Sequence, residues 1–187
     1  MSEPETYLTA EVRSYIGMET QPVPAFDPVE RGAVRRFAQA IMDADPVFMD
    51  ADAQPRYCGP VAPPLFPLTQ HRLPFGVPDV VSQHASDPDY DGTRNEIALA
   101  RTSDADARPT SLPPLPLDSL ALLNGGSEIE LYRYMRHGET LYSTSRYADI
   151  FERRTSKGLM VFVVTTTDYL DEQSNLVARV KLTTIRR

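Results

Sequence analysis

Proline placement constrains this chain more than any other feature. It holds 17 prolines, all at or before Pro116, and residues 117–187 have none. Proline lacks a backbone N–H and is excluded from central strands. The last 71 residues are therefore free to form a continuous sheet. The part before them must build turns, edges and helix starts.

The proline-free region carries strand patterns. From Glu128 to Met135, Ile129 and Leu131 alternate with charge. Thr140 to Phe151 is rich in Tyr and Thr, and Leu176 to Ile185 closes the set. Leu159 to Tyr169 is β-branched and apolar on both parities, as expected of a central strand. His137-Gly138, Lys157-Gly158 and Gln173-Ser174-Asn175 supply turns. The pattern predicts a four-stranded antiparallel meander. Its strands are longer than usual, which suits a sheet that curls round something.

A helix is the natural filling. Asp27-Pro28-Val29-Glu30 offers a cap, a first-turn proline and a capping box. Val34, Phe37, Ala38 and Ile41 then recur at helical spacing, with Arg35, Arg36 and Gln39 facing out. A second short helix is predicted after Val61-Ala62-Pro63-Pro64, running through Leu65, Leu68 and Thr69 to about Arg72. Residues 74–117 are polar, acidic and without period, and read as a long insertion or flap with a short ordered piece near Asn95 to Ala100. The length fits a single domain over 1–187.

Composition excludes several classes of function. There are 19 basic and 26 acidic residues, a net charge of −7. Nucleic-acid binding needs clustered cations, so it is not expected. No apolar run approaches the roughly 20 residues of a membrane span. Met1-Ser2-Glu3-Pro4-Glu5 lacks the marks of a secretory signal, so a soluble cytoplasmic protein is expected. The single cysteine, Cys58, excludes an internal disulfide and a multi-cysteine zinc site, and no metal site is expected.

Two blocks of sequence resemble a known family. The first is Val29-Glu30-Arg31-Gly32-Ala33-Val34-Arg35-Arg36-Phe37-Ala38, followed by Asp45-Pro46 and by Gly59-Pro60-Val61-Ala62-Pro63-Pro64. The second is Leu123-Asn124-Gly125-Gly126-Ser127-Glu128-Ile129-Glu130-Leu131-Tyr132-Arg133, then Gly138-Glu139-Thr140. In this order they resemble the MaoC-like dehydratases, and the N-terminal, FAS1-like dehydratase type in particular. The resemblance implies an α+β hot-dog fold: an antiparallel sheet wrapped round a central helix, forming half of a double hot dog. It also implies reversible hydration of an enoyl thioester on coenzyme A or acyl carrier protein, with no further cofactor.

Active members of the family carry Asp-x-Asn-Pro-x-His. Their Asp and His act as general base and acid on the attacking water, and backbone N–H groups at a helix start polarise the thioester carbonyl. Here the run is Asp43-Ala44-Asp45-Pro46-Val47-Phe48. Asp43 and Pro46 match, Asp45 replaces the Asn, and Phe48 replaces the His. No histidine is expected to substitute locally, since His71 ends a helix, His84 lies in the insertion and His137 lies in a turn. Pro63 and Pro64 bring no N–H to the carbonyl-binding position.

The expectation is a non-catalytic subunit that completes the sheet and shapes the acyl tunnel of a second, catalytic hot-dog chain. Asp43 is then a vestigial catalytic candidate, and equally a turn aspartate. Asp45, Phe48, Ala62, Asn124, Gly125 and Gly126 are the substrate-binding candidates; Phe48 reads equally as core. Arg35 with Arg36, or Arg133 with Arg136, could meet coenzyme A phosphates or simply face solvent. Two other readings stand beside this one. One is a homodimeric hydratase with a non-standard acid–base pair, and the other a thioester-binding module without chemistry.

Overall fold

The proline-free region is antiparallel sheet. The computed structural model describes residues 6–71, 112–117, 119–156 and 158–187. The strands are β1 (Val23–Pro24), β2 (Leu122–Leu131), β3 (Tyr142–Thr155), β4 (Gly158–Leu170) and β5 (Leu176–Arg186). They lie in the order β1-β3-β4-β5-β2. Strands β3, β4 and β5 are joined consecutively, with Thr155 opposite Gly158 and Leu170 opposite Leu176. The side chain of Asp171 shapes the second turn by accepting the N–H groups of Gln173 and Asn175 at 3.0 and 2.8 Å.

The meander prediction needs a correction. Strand β2 pairs with β5, not β3, with Leu131 opposite Ala178 and Leu122 opposite Arg186. The residues after β2 form a crossover instead of a tight turn. Tyr132 N donates to the Val177 carbonyl at 2.9 Å, Ala62 N to that of Met135 at 2.8 Å and Gly138 N to that of Val29 at 2.9 Å. These bonds carry the chain across the end of the sheet. Strand β2 also begins at Leu122, earlier than the alternating pattern marks. Gly125 allows this, because a Cβ there would sit 2.9 Å from the Thr183 carbonyl oxygen.

The main helix, α2 (Arg31–Ala40), starts later than its capping pattern predicts. Val29 is held extended by both of its backbone groups. Its N–H donates to the Glu139 carbonyl at 2.9 Å, and its own carbonyl accepts from Gly138. Tertiary pairing thus overrides the local signal. Val34 and Ala38 are buried and Phe37 partly so, but Ile41 is 46% exposed because it caps the helix end. The second predicted helix is a single 3₁₀ turn, Phe66–Thr69. Pro67 inside the run lacks the N–H that a longer helix would use. A short helix that the sequence pattern did not reveal, α1 (Ala10–Ser14), is capped by Thr9, whose hydroxyl accepts from Val12 N at 3.1 Å.

Two apolar clusters form the core. One gathers Val29, Val34, Ala38, Phe48, Val61, Ala62 and Phe66 against Met135, Leu141 and Val177. The other packs Val12, Leu115, Leu117 and Leu120 onto Tyr147, Ile150, Val161 and Val163. The predicted insertion therefore ends before residue 115, since Leu115 and Leu117 are core residues. Most of it, including the ordered piece near Asn95 to Ala100, lies outside the described residues. Among the described residues no helix is long and apolar enough to cross a membrane.

Candidate functional site

The Asp43–Phe48 run follows directly from the end of α2. Asp43 N donates to the Ala38 carbonyl at 3.0 Å, closing the helix. The Asp43 carboxylate accepts from Asp45 N at 3.1 Å, and that of Asp45 from Val47 N at 3.0 Å. Both aspartates are exposed, and each is occupied with a turn of its own. Phe48 points the other way. Its side chain is 4% exposed and belongs to the cluster around α2. Val34, Ala38 and Val61 belong to the same buried cluster.

Ala62 is brought beside this run. Val61 N donates to the Val47 carbonyl at 3.1 Å, and Ala62 N to Met135. The one N–H that Ala62 owns is therefore consumed by the crossover, and Pro63 and Pro64 bring none. No free amide pair stands in this segment to polarise a carbonyl.

Asn124, Gly125 and Gly126 stand elsewhere. They form the bulge of β2, where the Asn124 side chain accepts from Gly126 N at 2.8 Å and Gly126 adopts φ +115°. Gly126 and Leu131 are five residue steps apart along the strand, about 17 Å. The fold therefore brings Asp43, Asp45, Phe48 and Ala62 together, and places the glycine bulge apart on an open edge. Among the described residues strand β2 has no second neighbour, and Leu123 and Ile129 on it are each 39% exposed.

His137 comes nearer to the run than the sequence indicates. Its ring meets the backbone of Phe48 and Val61, because the crossover folds back over both segments. Burial, with Arg31 nearby, lowers its pKa below the usual histidine value, and hydrogen bonds to the two backbones partly offset this. Its Nε2 is buried without a partner. The half-buried imidazole thus lies between the two segments, with one nitrogen turned away from solvent. His71 is similar. Its Nε2 lies 3.1 Å from the Val23 carbonyl, its ring packs against Tyr169, and burial lowers its pKa despite that bond. His84 lies outside the described residues. Among the described residues no group of His, Cys, Asp and Glu could hold a metal ion.

A network of three charged side chains holds the crossover in place. Arg133 binds Glu139 at 2.9 Å and Asp171 at 2.9 Å, and Glu139 also accepts from Arg136 N at 3.0 Å. The Asp171 carboxyl lies below its ordinary pKa. Its partial burial would raise it, but the Asn175 and Gln173 amides and Arg133 outweigh that.

The sequence matches the FAS1-like, dehydratase domain region over residues 14–94 and 95–180. The chain belongs to the FAS1-like dehydratase family. Its fold is the hot dog of the MaoC-like dehydratases. The ChsH1-ChsH2 complex from Mycobacterium tuberculosis matches with TM-score 0.62 and 19% identity, over 95% of this chain and 87% of that one. The HadBC (3R-hydroxyacyl-ACP dehydratase) complex from the same organism gives 0.57 and 17%, over 91% and 96%. A MaoC-like dehydratase from Rhodospirillum rubrum gives 0.53 and 18%, over 92% and 93%. A search of the curated proteins returned no match.

Proposed function

We propose that this chain is the non-catalytic, tunnel-shaping subunit of a heteromeric enoyl-thioester hydratase. Phe48 carries the argument. It stands where active members of the family hold the catalytic histidine, and its ring is buried in the core. The turn-bound Asp43 and Asp45 and the absence of a free amide at Ala62-Pro63-Pro64 support the same reading.

The partner is a second hot-dog chain with an intact Asp-x-Asn-Pro-x-His run. It supplies the general base and acid for water addition to the β-carbon and protonation of the α-carbon. The outer edge of β2 supports this partner, since among the described residues this ten-residue strand pairs on one side alone and offers its other side as a template. Both complexes named above pair two different chains under one dehydratase-like fold. Asn124, Gly125 and Gly126 would then sit at the seam, with Phe48 and Ala62 held in the core away from it.

The test is hydration of a panel of enoyl-CoA esters, followed by loss of the conjugated double bond. The chain alone should be silent, and turnover should appear on adding a partner with the intact run. Turnover by the chain alone would overturn the reading of Phe48. Silence in both cases, with tight thioester binding, would leave a binding module without chemistry.

A further inference from the structure

A second feature adjoins the Asp45–Phe48 turn. A cleft of about 630 Å³ opens between the 55–61 turn and the β2–β3 crossover. That volume suits a drug-sized ligand. Val61 forms part of its wall and is bonded to Val47, so the cleft opens beside the candidate site.

Its lining contains three arginines, Arg56, Arg133 and Arg136, against two carboxylates, Glu139 and Asp171. Arg133 binds both carboxylates, so that part of the wall is settled. The guanidinium groups of Arg56 and Arg136 have no carboxylate partner among the described residues. The cleft thus has a surplus positive charge on a chain whose net charge is −7.

The wall is also aromatic. Tyr57 and Tyr134 meet edge to face at 5.3 Å, and the Arg56 guanidinium lies 4.6 Å from the Tyr57 ring centre while donating to its hydroxyl at 2.7 Å. A flat guanidinium stacked on a tyrosine offers its other face to a flat ring, and an unpaired arginine beside it suits a phosphate. The second cleft, of about 440 Å³ beside α2, sets Asp27 and Glu30 against Arg36 and repels an anion.

We propose that this cleft binds the adenine nucleotide end of the substrate carrier, so that this chain grips coenzyme A and not a carrier protein. The inference rests on the thioester-hydratase reading above. Arg136 takes a phosphate, and the adenine ring lies against Arg56 and the tyrosine pair.

The test is calorimetric titration of the full chain with adenosine 3′,5′-bisphosphate, the nucleotide portion of coenzyme A. Phosphopantetheine, inorganic phosphate and ATP are run in parallel. The bisphosphate should bind, and Arg136→Ala should weaken it by about tenfold to a hundredfold, the worth of one charge-assisted contact. Arg187→Ala, which removes an exposed arginine outside the cleft, should leave binding unchanged. Equal binding of phosphopantetheine or phosphate would refute the nucleotide grip, and tighter binding of ATP would refute coenzyme A as its source. No bisphosphate binding, with the two-chain complex still hydrating an enoyl-carrier-protein substrate, would sink this inference and leave the proposed function standing. Nucleotide binding by a chain that supports hydration with no partner would do the reverse.

Discussion

Replacing Phe48 with His restores the last letter of the catalytic run, and it should damage the fold without creating activity. The Phe48 ring is 4% exposed among Val34, Ala38, Val61, Ala62 and Phe66. Truncating such a ring to Ala costs about 3–5 kcal/mol. Histidine keeps part of that volume, so the packing loss is about 1–2 kcal/mol. It also places two ring nitrogens among apolar neighbours, and an unpartnered buried polar group costs about 1–3 kcal/mol. The sum is roughly 2–5 kcal/mol of lost stability. At this chain length each kcal/mol lowers the midpoint by about 2–4 °C, so thermal unfolding should fall by roughly 4–20 °C. The assay is calorimetric or urea unfolding, run beside the enoyl-CoA hydration assay. Phe48→Leu serves as the control, since it stays apolar and should cost less. A Phe48→His variant of native stability, or one that gains turnover on its own, would refute the reasoning. Either result would mean that the side chain faces the acyl path and not the core.

Two further outcomes are expected. Gly125→Ala places a Cβ 2.9 Å from the Thr183 carbonyl oxygen and 3.1 Å from Ile185 Cγ1. Strand β2 must then shift from β5, so amide exchange along β2 should accelerate at a cost of about 1–3 kcal/mol, and unchanged protection would contradict it. Stability should also fall as the pH drops below about 6.5, the ordinary histidine value. His71 and His137 both have lowered pKa values in the fold, through burial first. Below 6.5 the unfolded chain binds more protons than the folded one, so the histidine contribution is complete above that pH and is lost beneath it. Urea midpoints at pH 7.5 and 5.5 measure this. A His71→Gln, His137→Gln double variant should flatten the difference, and a midpoint that rises on acidification would oppose it.

Much of the fold was legible because its signals are local. Proline exclusion and β-branched runs marked β3, β4 and β5, and helical spacing marked α2. What was illegible depends on pairing between distant segments. Nothing in Leu122–Leu131 says that its neighbour is β5 and not β3, because both offer long antiparallel edges. The start of α2 was misplaced for the same reason. Asp27-Pro28-Val29-Glu30 is a sound capping pattern, but Val29 spends both backbone groups on Gly138 and Glu139. Leu115 and Leu117 looked like the end of a polar insertion, and only the fold puts them under α1.

The candidate site divides along the same line. That Phe48 stands where the resemblance implies a His is read from one residue and needs no structure. That the ring is core follows only from the three segments that close over it. His137 is the instructive miss. Its neighbours His137-Gly138 mark a turn, and a turn histidine reads as solvent-exposed. The crossover instead lays the ring against the backbones of Phe48 and Val61. A sequence signal for this did exist in Gly59-Pro60-Val61, an extended segment with one apolar residue that must pair somewhere. It pairs with Arg136, next to His137. The imidazole thus stands beside Phe48, the position proposed for a catalytic His, yet its Nε2 is buried. Proximity to a catalytic position is therefore not enough. A general base must expose a lone pair to the water it activates, and this chain turns its nearest imidazole inward.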